Sequence, residues 1–390
     1  MTYKEACSYF PGGTQLYSKR PINYSKNYPY NYCLAKGIEI YHGNKIYIDF
    51  STMSQGACIL GYANNEVNSS VKNSIDCGNI SSINSENEIL LAKKLRKYEP
   101  NKMFRYFRSG GEAISAAVRT ARAYTGKSII LCNGYHGWHD WYLAANLNPG
   151  AHNHLNITAT IGVPKELHGT CFYFNDLASL ENLIKEHKDN LAGIVIEPCR
   201  YETIDKEIIE LLKTIKVPII VDEITTGWRY CLGSMAKEIF KGFDPDIIVY
   251  GKAISNGFPF SVICGKKKLM ESINKTFISS TYWTDSTGTA AALETINQLE
   301  KKSYNLRDRI DSRLSIVLSD KFQSNQKRLY SPRSDGFNGM IHYYPKNRTR
   351  WIKYMLKNGY LVTDQIYLSF SHTLEDINKF IEVMIEYDGK

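Results

Sequence analysis

Three short runs of Ile and Val, each cut off by a charged side chain, constrain this 390-residue chain more than any other feature. Ile194-Val195-Ile196 runs into Glu197-Pro198, Ile219-Ile220-Val221 into Asp222-Glu223, and Ile247-Ile248-Val249-Tyr250-Gly251 into Lys252. Runs this short, with no polar residue alternating, suit strands covered on both faces, as in a parallel sheet. Further strands are expected at Met103–Phe107, Ser128–Asn133 and Cys171–Phe174, with helices at Glu112–Tyr124, Leu177–His187 and Lys206–Ile215. Strands alternating with helices predict an α/β fold. Ligands of such sheets bind beyond the carboxyl ends of the strands, so Glu197, Asp222 and Lys252 are expected to converge on one site.

The rest of the chain divides by pattern. Residues 1–50, rich in Tyr, Asn and Gly and alternating at Tyr32–Ile40 and Lys45–Phe50, read as an N-terminal segment with a small antiparallel element. Residues 51–288 make the large domain. From 289 to 390, helical stretches at Ala290–Lys301 and Leu306–Leu318 precede strand-like Gly339–Tyr344 and Ile366–Phe370 and a last helix at Leu374–Tyr387, which predicts a small α+β C-terminal domain. The Asn- and Lys-rich patches near 322–350 read as loops.

Composition enters by exclusion. With 43% apolar and 22% charged residues the chain has ordinary globular usage. Its net charge of +9 is spread thinly, and the one tight basic run, Lys266-Lys267-Lys268, reads as a solvated turn after the strand Ser261–Cys264, so no nucleic-acid partner is expected. Nine cysteines, odd in number and without a CxxC pair, fit neither a disulfide framework nor a zinc ribbon and suit a reducing cytosol. The N-terminus lacks an apolar signal core, and no apolar run approaches the roughly 20 residues of a spanning helix, so a cytoplasmic protein without membrane contact is expected. His136 and His139, like His152 and His154, have ligand-like spacing, but no third ligand joins either pair and no metal is expected. Gly251-Lys252 lacks the upstream glycine of a nucleotide-binding loop.

A lysine and acids at one sheet edge point to particular chemistry. A desolvated lysine attacks carbonyls, and an acid can fix a cationic ring nitrogen, which together are what pyridoxal phosphate needs. Its phosphate also needs a cradle. Phe107-Arg108-Ser109-Gly110-Gly111-Glu112-Ala113 offers one, a strand, a glycine turn and a helix whose first N–H groups point outward. Tyr135, just past Ser128–Asn133, is placed to stack on the ring.

With these residues assembled, the chain resembles the class III, fold type I pyridoxal-phosphate enzymes, in the glutamate-1-semialdehyde 2,1-aminomutase-like branch. Asp222-Glu223-Ile224-Thr225-Thr226-Gly227-Trp228-Arg229 is similar to that family's D-E-x-x-T-G-[FW]-R, and Tyr250-Gly251-Lys252-Ala253-Ile254-Ser255-Asn256-Gly257 to its G-K-x-[IL]-[GS]-[NG]-G. Ser109-Gly110-Gly111-Glu112-Ala113 resembles S-G-[ST]-E-A, and Tyr135-His136-Gly137 resembles Y-H-G; Phe10-Pro11-Gly12-Gly13 and Leu60-Gly61-Tyr62 also resemble family positions. The resemblance implies a large domain with a mostly parallel sheet flanked by helices, plus a small C-terminal domain. It implies that Lys252 forms the Schiff base, Asp222 pairs with the pyridine nitrogen, Tyr135 stacks on the ring and Glu197 lies near the hydroxyl edge. Ser109, Gly110 and Gly111 would hold the phosphate, with Gly111 lacking the hydroxyl usual at that position. A threonine from a neighbouring subunit completes the phosphate site in the family, and Thr281 is the candidate, so a homodimer with shared active sites is implied.

The expected activity is amino-group transfer between a small-molecule amino donor and a carbonyl acceptor. Two departures separate the chain from the aminomutase pattern. Where P-G-G-V-N-S-P-V-R has the arginine that grips the substrate carboxylate, Lys19 stands, with Arg20 one residue late, and lysine is a poor replacement for a bidentate fork. Where the pattern reads T-L-S-G-N-P, the chain reads Thr281-Tyr282-Trp283-Thr284-Asp285-Ser286. Lys19, Arg20, His136 and Trp283 are therefore the candidate substrate contacts, with an amino-sugar or surface-polysaccharide precursor as the expected substrate class. The alternatives are a glutamate-1-semialdehyde-type 2,1-aminomutase and a non-catalytic binding protein on the same fold.

Overall fold

The computed structural model describes residues 2–25, 27–148, 160–199, 203–302, 304, 314, 341–342 and 347–388. Along the chain the strands are β1 Leu34–Lys36, β2 Glu39–His42, β3 Lys45–Phe50, β4 Lys102–Phe107, β5 Ile129–Asn133, β6 Cys171–Tyr173, β7 Leu191–Ile196, β8 Ile219–Glu223, β9 Ile247–Tyr250, β10 Ser261–Lys266, β11 Ile341–His342, β12 Tyr360–Val362 and β13 Gln365–Ile366. Two units are present, Ser69–Glu300 and the combination of Met1–Asn68 with Lys301–Lys390.

The unit Ser69–Glu300 carries a seven-stranded sheet in the order β4-β10-β9-β8-β7-β5-β6. Strands β6, β5, β7, β8 and β9 run parallel to one another, and β10 is antiparallel to both β9 and β4. Every residue of β7 and β8 is buried. The reason is visible in the side-chain alternation: Val195 and Ile220 join the core against Ala113, Ala117 and Ala121, while Ile194, Ile196 and Val221 join the opposite core with Leu180, Ile208 and Leu212. Both faces are thus covered, as the unbroken apolar runs require.

The helix Gly110–Thr125 presents small residues to the sheet, Ala113, Ala116, Ala117 and Ala121, which lets the two backbones approach closely. Ser109 caps it in a capping box with Glu112, and Gly126, at φ 68°, ends it. The helix expected at Leu177–His187 has those bounds, and the one beginning at Lys206 ends at Thr214. Lys266-Lys267-Lys268 is exposed, as expected of a solvated run, but it is not a turn. Lys266 closes β10 and pairs with Asp246 at 3.0 Å, and Lys267 opens a one-turn helix, Lys267–Met270.

In the other unit β1, β2, β3 and β12 form a four-stranded sheet. β12 lies parallel to β3, with Tyr360 opposite Ile48, so the N-terminal element and a segment from the C-terminal region share one sheet. Phe50 stacks on Phe380 at 4.0 Å in a core with Trp351, Ile352 and Met355. Asp49 is buried beside them. Its Oδ1 accepts from the Ser51 N–H at 2.7 Å and the Ser51 hydroxyl at 2.6 Å, and its Oδ2 accepts from the Tyr62 hydroxyl at 2.5 Å. The last helix runs Leu374–Asp388, and of Ile366–Phe370 only Ile366 lies in a strand, β13, while the N–H groups of Tyr367 and Phe370 donate to the carbonyls of Ser51 and Ile59 at 2.8 Å each. Of the stretch expected at Leu306–Leu318 only Leu314 is described, and Gly339–Tyr344 apart from β11 lies outside the described residues, as do His152 and His154. Of the patches near 322–350 read as loops, the part before residue 347 apart from β11 also lies outside them, and the end is not a loop, because Arg348–Arg350 open the helix Arg348–Lys357, capped by the Asn347 side chain. Among the described residues no helix is long and apolar enough to cross a membrane.

Candidate active site

Lys252 follows β9 with φ at 47°, in the left-handed region, where a residue with a Cβ pays about 1–3 kcal/mol. Such strain is tolerated where the surroundings fix a side chain for use. The Lys252 Nζ donates to Thr225 Oγ1 at 2.8 Å. Thr225 belongs to the turn after β8, and that turn is tied down by Glu223. The Glu223 carboxyl is fully buried and accepts from the Thr226 hydroxyl at 2.6 Å, the Ser234 hydroxyl at 2.6 Å and the Ala236 N–H at 2.8 Å. Burial raises its pKa above the usual carboxylate value, with those donors working against the rise.

Asp222, one residue earlier on β8, is 2% exposed. Its Oδ1 accepts from the Ile224 N–H at 3.1 Å, and its Oδ2 lies 2.9 Å from His136 Nδ1. His136 Nε2 in turn lies 3.0 Å from the Asn133 carbonyl oxygen. A carbonyl can only accept, so Nε2 carries a hydrogen, and the contact between Nδ1 and Oδ2 requires one further proton between ring and carboxyl. Asp222 is therefore held by a ring whose far nitrogen is itself fixed by the Asn133 carbonyl.

Across the sheet edge, the Ser109 N–H donates to Glu112 Oε2 at 2.8 Å, fixing the turn before the helix. A Cβ on Gly110 would stand 2.7 Å from Ile224 Cδ1, and one on Gly111 would stand 2.4 Å from His139 Cε1. Only glycine fits either place as the chain is folded. The Tyr135 N–H donates to Glu197 Oε2 at 3.0 Å, and Glu197 is 4% exposed. Trp283 donates from Nε1 to Glu112 Oε1 at 3.1 Å and meets Phe107 edge-on. Thr281 lies exposed at the start of the one-turn helix Thr281–Thr284.

Most expected site residues thus meet within one unit: Lys252 with the turn after β8, Asp222 with His136, the Ser109–Gly111 turn with Ile224, Tyr135 with Glu197, and Trp283 with Glu112. His136, expected as a substrate contact, is 2% exposed with both ring nitrogens engaged by Asp222 and Asn133. Lys19 and Arg20 belong to the other unit, where the Arg20 guanidinium lies 4.9 Å over the Tyr17 ring and packs on Gly12. Sequence reading missed Thr225, which fills an unspecified place in its motif, and Arg108. The Arg108 guanidinium donates to the carbonyls of Tyr282, Pro259 and Asp285 and pairs with the Asp285 carboxylate at 3.0 Å, clamping the 281–285 segment to the strand end before Ser109. Its only forward signal was its place beside the glycine turn.

Among the described residues no three His, Cys, Asp or Glu side chains are grouped to hold a metal. The residues present do suit pyridoxal phosphate: an amine, a carboxyl near a ring-sized aromatic, and a glycine turn at a helix start beside which His139 Nδ1 is buried with no hydrogen-bond partner among the described residues.

The family model for class III aminotransferases matches residues 23–365. The 3-aminobutyryl-CoA aminotransferase of Cloacimonas acidaminovorans is 34% identical over 317 residues, 77% of this chain and 72% of the relative. The glutamate-1-semialdehyde 2,1-aminomutase of Methanocaldococcus jannaschii is 34% identical over 322 residues, covering 77% and 73%. Among solved structures, the pyridoxal-phosphate form of the FumI protein from Sphingopyxis sp. MTA144 superposes with a TM-score of 0.84 over 98% of this chain and 94% of that one, at 22% identity.

Proposed function

The chain belongs to the class III aminotransferase family, whose enzymes depend on pyridoxal phosphate, and from that premise we propose that it transfers an amino group from a small-molecule donor to a carbonyl acceptor. The observation carrying this reading is the placing of Asp222 near the carboxyl end of β8 and of Lys252 just after the adjacent parallel β9, its amine bonded to Thr225, beside the Ser109–Gly111 turn that packs on Ile224.

Lys252 would hold the cofactor's carbonyl carbon, Asp222 its ring nitrogen, Tyr135 its ring face, Glu197 its hydroxyl edge, and Ser109, Gly110 and Gly111 its phosphate. When bound, the cofactor supplies an electron-withdrawing ring that stabilises negative charge developing on a substrate carbon. Lys252 Nζ, once free, carries protons to and from the substrate, and the Thr225 hydroxyl 2.8 Å away holds that amine in position. The His136 ring fixes the Asp222 carboxyl in orientation and shares a proton with it at Oδ2. Arg108 fastens the segment holding Tyr282 and Asp285 to the strand end before Ser109, and Thr281 of a second copy would complete the phosphate site in a homodimer. Nine cysteines without a disulfide support a cytoplasmic setting.

The substrate we propose is a carbonyl compound such as an amino-sugar precursor. Lys19 in place of the carboxylate-gripping arginine and the bulky Tyr282-Trp283 pair support this. The second reading, a 2,1-aminomutase, is favoured by the 34% identity with the Methanocaldococcus jannaschii enzyme. A half-reaction screen of amino donors and carbonyl acceptors separates the two, because a transaminase consumes a donor and releases a keto product, whereas a mutase consumes no external donor. Lys252→Ala should abolish turnover and the visible band of the lysine-bound cofactor. Normal activity in that variant would overturn the assignment.

A further inference from the structure

Gly111 is the place where the glycine turn departs from its S-G-[ST]-E-A pattern, and a side chain cannot simply be restored there. A Cβ at position 111 would lie 2.4 Å from His139 Cε1 and 2.9 Å from His139 Nδ1. The imidazole stands in the volume of the missing side chain, against the second residue of the helix Gly110–Thr125, whose first N–H groups have no acceptor within the helix.

The ring is held in that position from behind. It stacks on Trp138 at 4.4 Å with 21° between planes, and the His139 carbonyl accepts from the N–H groups of Tyr142 at 3.0 Å and Leu143 at 3.1 Å. Its Nδ1 is buried and has no hydrogen-bond partner among the described residues. A buried ring nitrogen left in that state is disfavoured unless something polar meets it. Burial lowers the His139 pKa, while Glu112 and Asp140 act in the opposite direction; the neutral ring so favoured has one N–H to give.

We infer that His139 is a phosphate ligand of the cofactor, supplying from position 139 the hydrogen bond that the turn no longer supplies from position 111. The inference rests on the cofactor reading above and adds a residue that the glycine-turn motif does not contain. An exchange has taken place: a hydroxyl on the helix is replaced by an imidazole from the loop after β5, and glycine at 111 is the condition for it.

The test compares uptake of pyridoxal phosphate with uptake of pyridoxal, which lacks the phosphate, by cofactor-stripped protein followed through visible absorbance. His139→Ala should weaken pyridoxal phosphate about ten- to hundredfold, the range for a hydrogen bond to a charged group, and leave pyridoxal within about twofold. Adding Gly111→Ser to His139→Ala should recover most of the loss, because the hydroxyl then has room. Gly111→Ser alone should weaken binding, since the ring obstructs it. Unchanged pyridoxal phosphate uptake in His139→Ala overturns the inference, and so does equal loss for both ligands, which would mark a ring that only shapes the turn. Wild-type protein that takes up neither ligand overturns the cofactor reading and this inference with it, and that result comes before any variant is compared.

Discussion

Asp49 and Asp222 are both 2% exposed, yet their surroundings differ in kind. Asp49 is fastened within β3 by a backbone N–H, a serine hydroxyl and the Tyr62 phenol, whose own pKa burial lifts well above its usual value. Those donors are a main-chain amide, an aliphatic hydroxyl and a phenol kept protonated by burial. Asp222 sits near the carboxyl end of β8 and faces the His136 imidazole, whose other nitrogen is held by the Asn133 carbonyl. Burial alone therefore does not single out a carboxyl; its place at a strand end and the partner it faces do.

The contrast is most easily broken at Asp222. Asp222→Ala should lower kcat/KM by on the order of a thousandfold, the scale of removing a fixed charge from a reacting centre, while Asp49→Asn stays within about threefold of wild type. Steady-state kinetics on variants that retain their unfolding transition decide the matter, and equal losses at the two sites would erase the distinction. His136→Ala should cost about ten- to hundredfold, as expected when a hydrogen-bonded partner of a charge is deleted, with His136→Gln recovering part of it. If His136→Ala left kinetics unchanged, the imidazole would be no more to Asp222 than Ser51 is to Asp49.

Stability gives the reverse comparison. Asp49→Asn should cost about 1–2 kcal/mol near pH 4, read by urea unfolding. Burial raises the Asp49 pKa, so the folded state binds that proton more tightly than the unfolded chain. The stabilisation is fully present below the ordinary carboxylate value and is lost as pH rises through the raised one. The gap between wild type and Asp49→Asn should accordingly shrink from about pH 4 to about pH 7, and a gap that widens would contradict the assignment. The smallest effect is expected at Thr225→Val, a few-fold fall in kcat with KM little changed, in keeping with about 1 kcal/mol for a neutral hydroxyl holding the Lys252 amine.

The sheet and the carboxyl-end residues were legible because unbroken apolarity has one good explanation, two covered faces, and β7 and β8 carry it in full. The turn at Ser109 was legible from a glycine pair set between a strand and a helix. What could not be read was set by contacts distant in sequence. Arg108 reaches Asp285 across 177 positions, and the pairing of β12 with β3 joins residues 360–362 to 48–50 through a strand too short to announce itself. The histidine pair shows the limit differently. A spacing of three suggests a shared ligand on a helix, but here the chain turns between them, so His136 points to Asp222 and His139 to Gly111.

Gly110 and Ile224 tie the histories of two turns together. Because the Ile224 side chain occupies the space of a Cβ at position 110, a lineage that enlarges residue 110 has to move or shrink residue 224, and an intermediate with both small leaves a hole between the Ser109–Gly111 turn and the turn after β8. Among descendants of such a chain the two positions should covary in volume, and an engineer reshaping either turn should alter them as a pair.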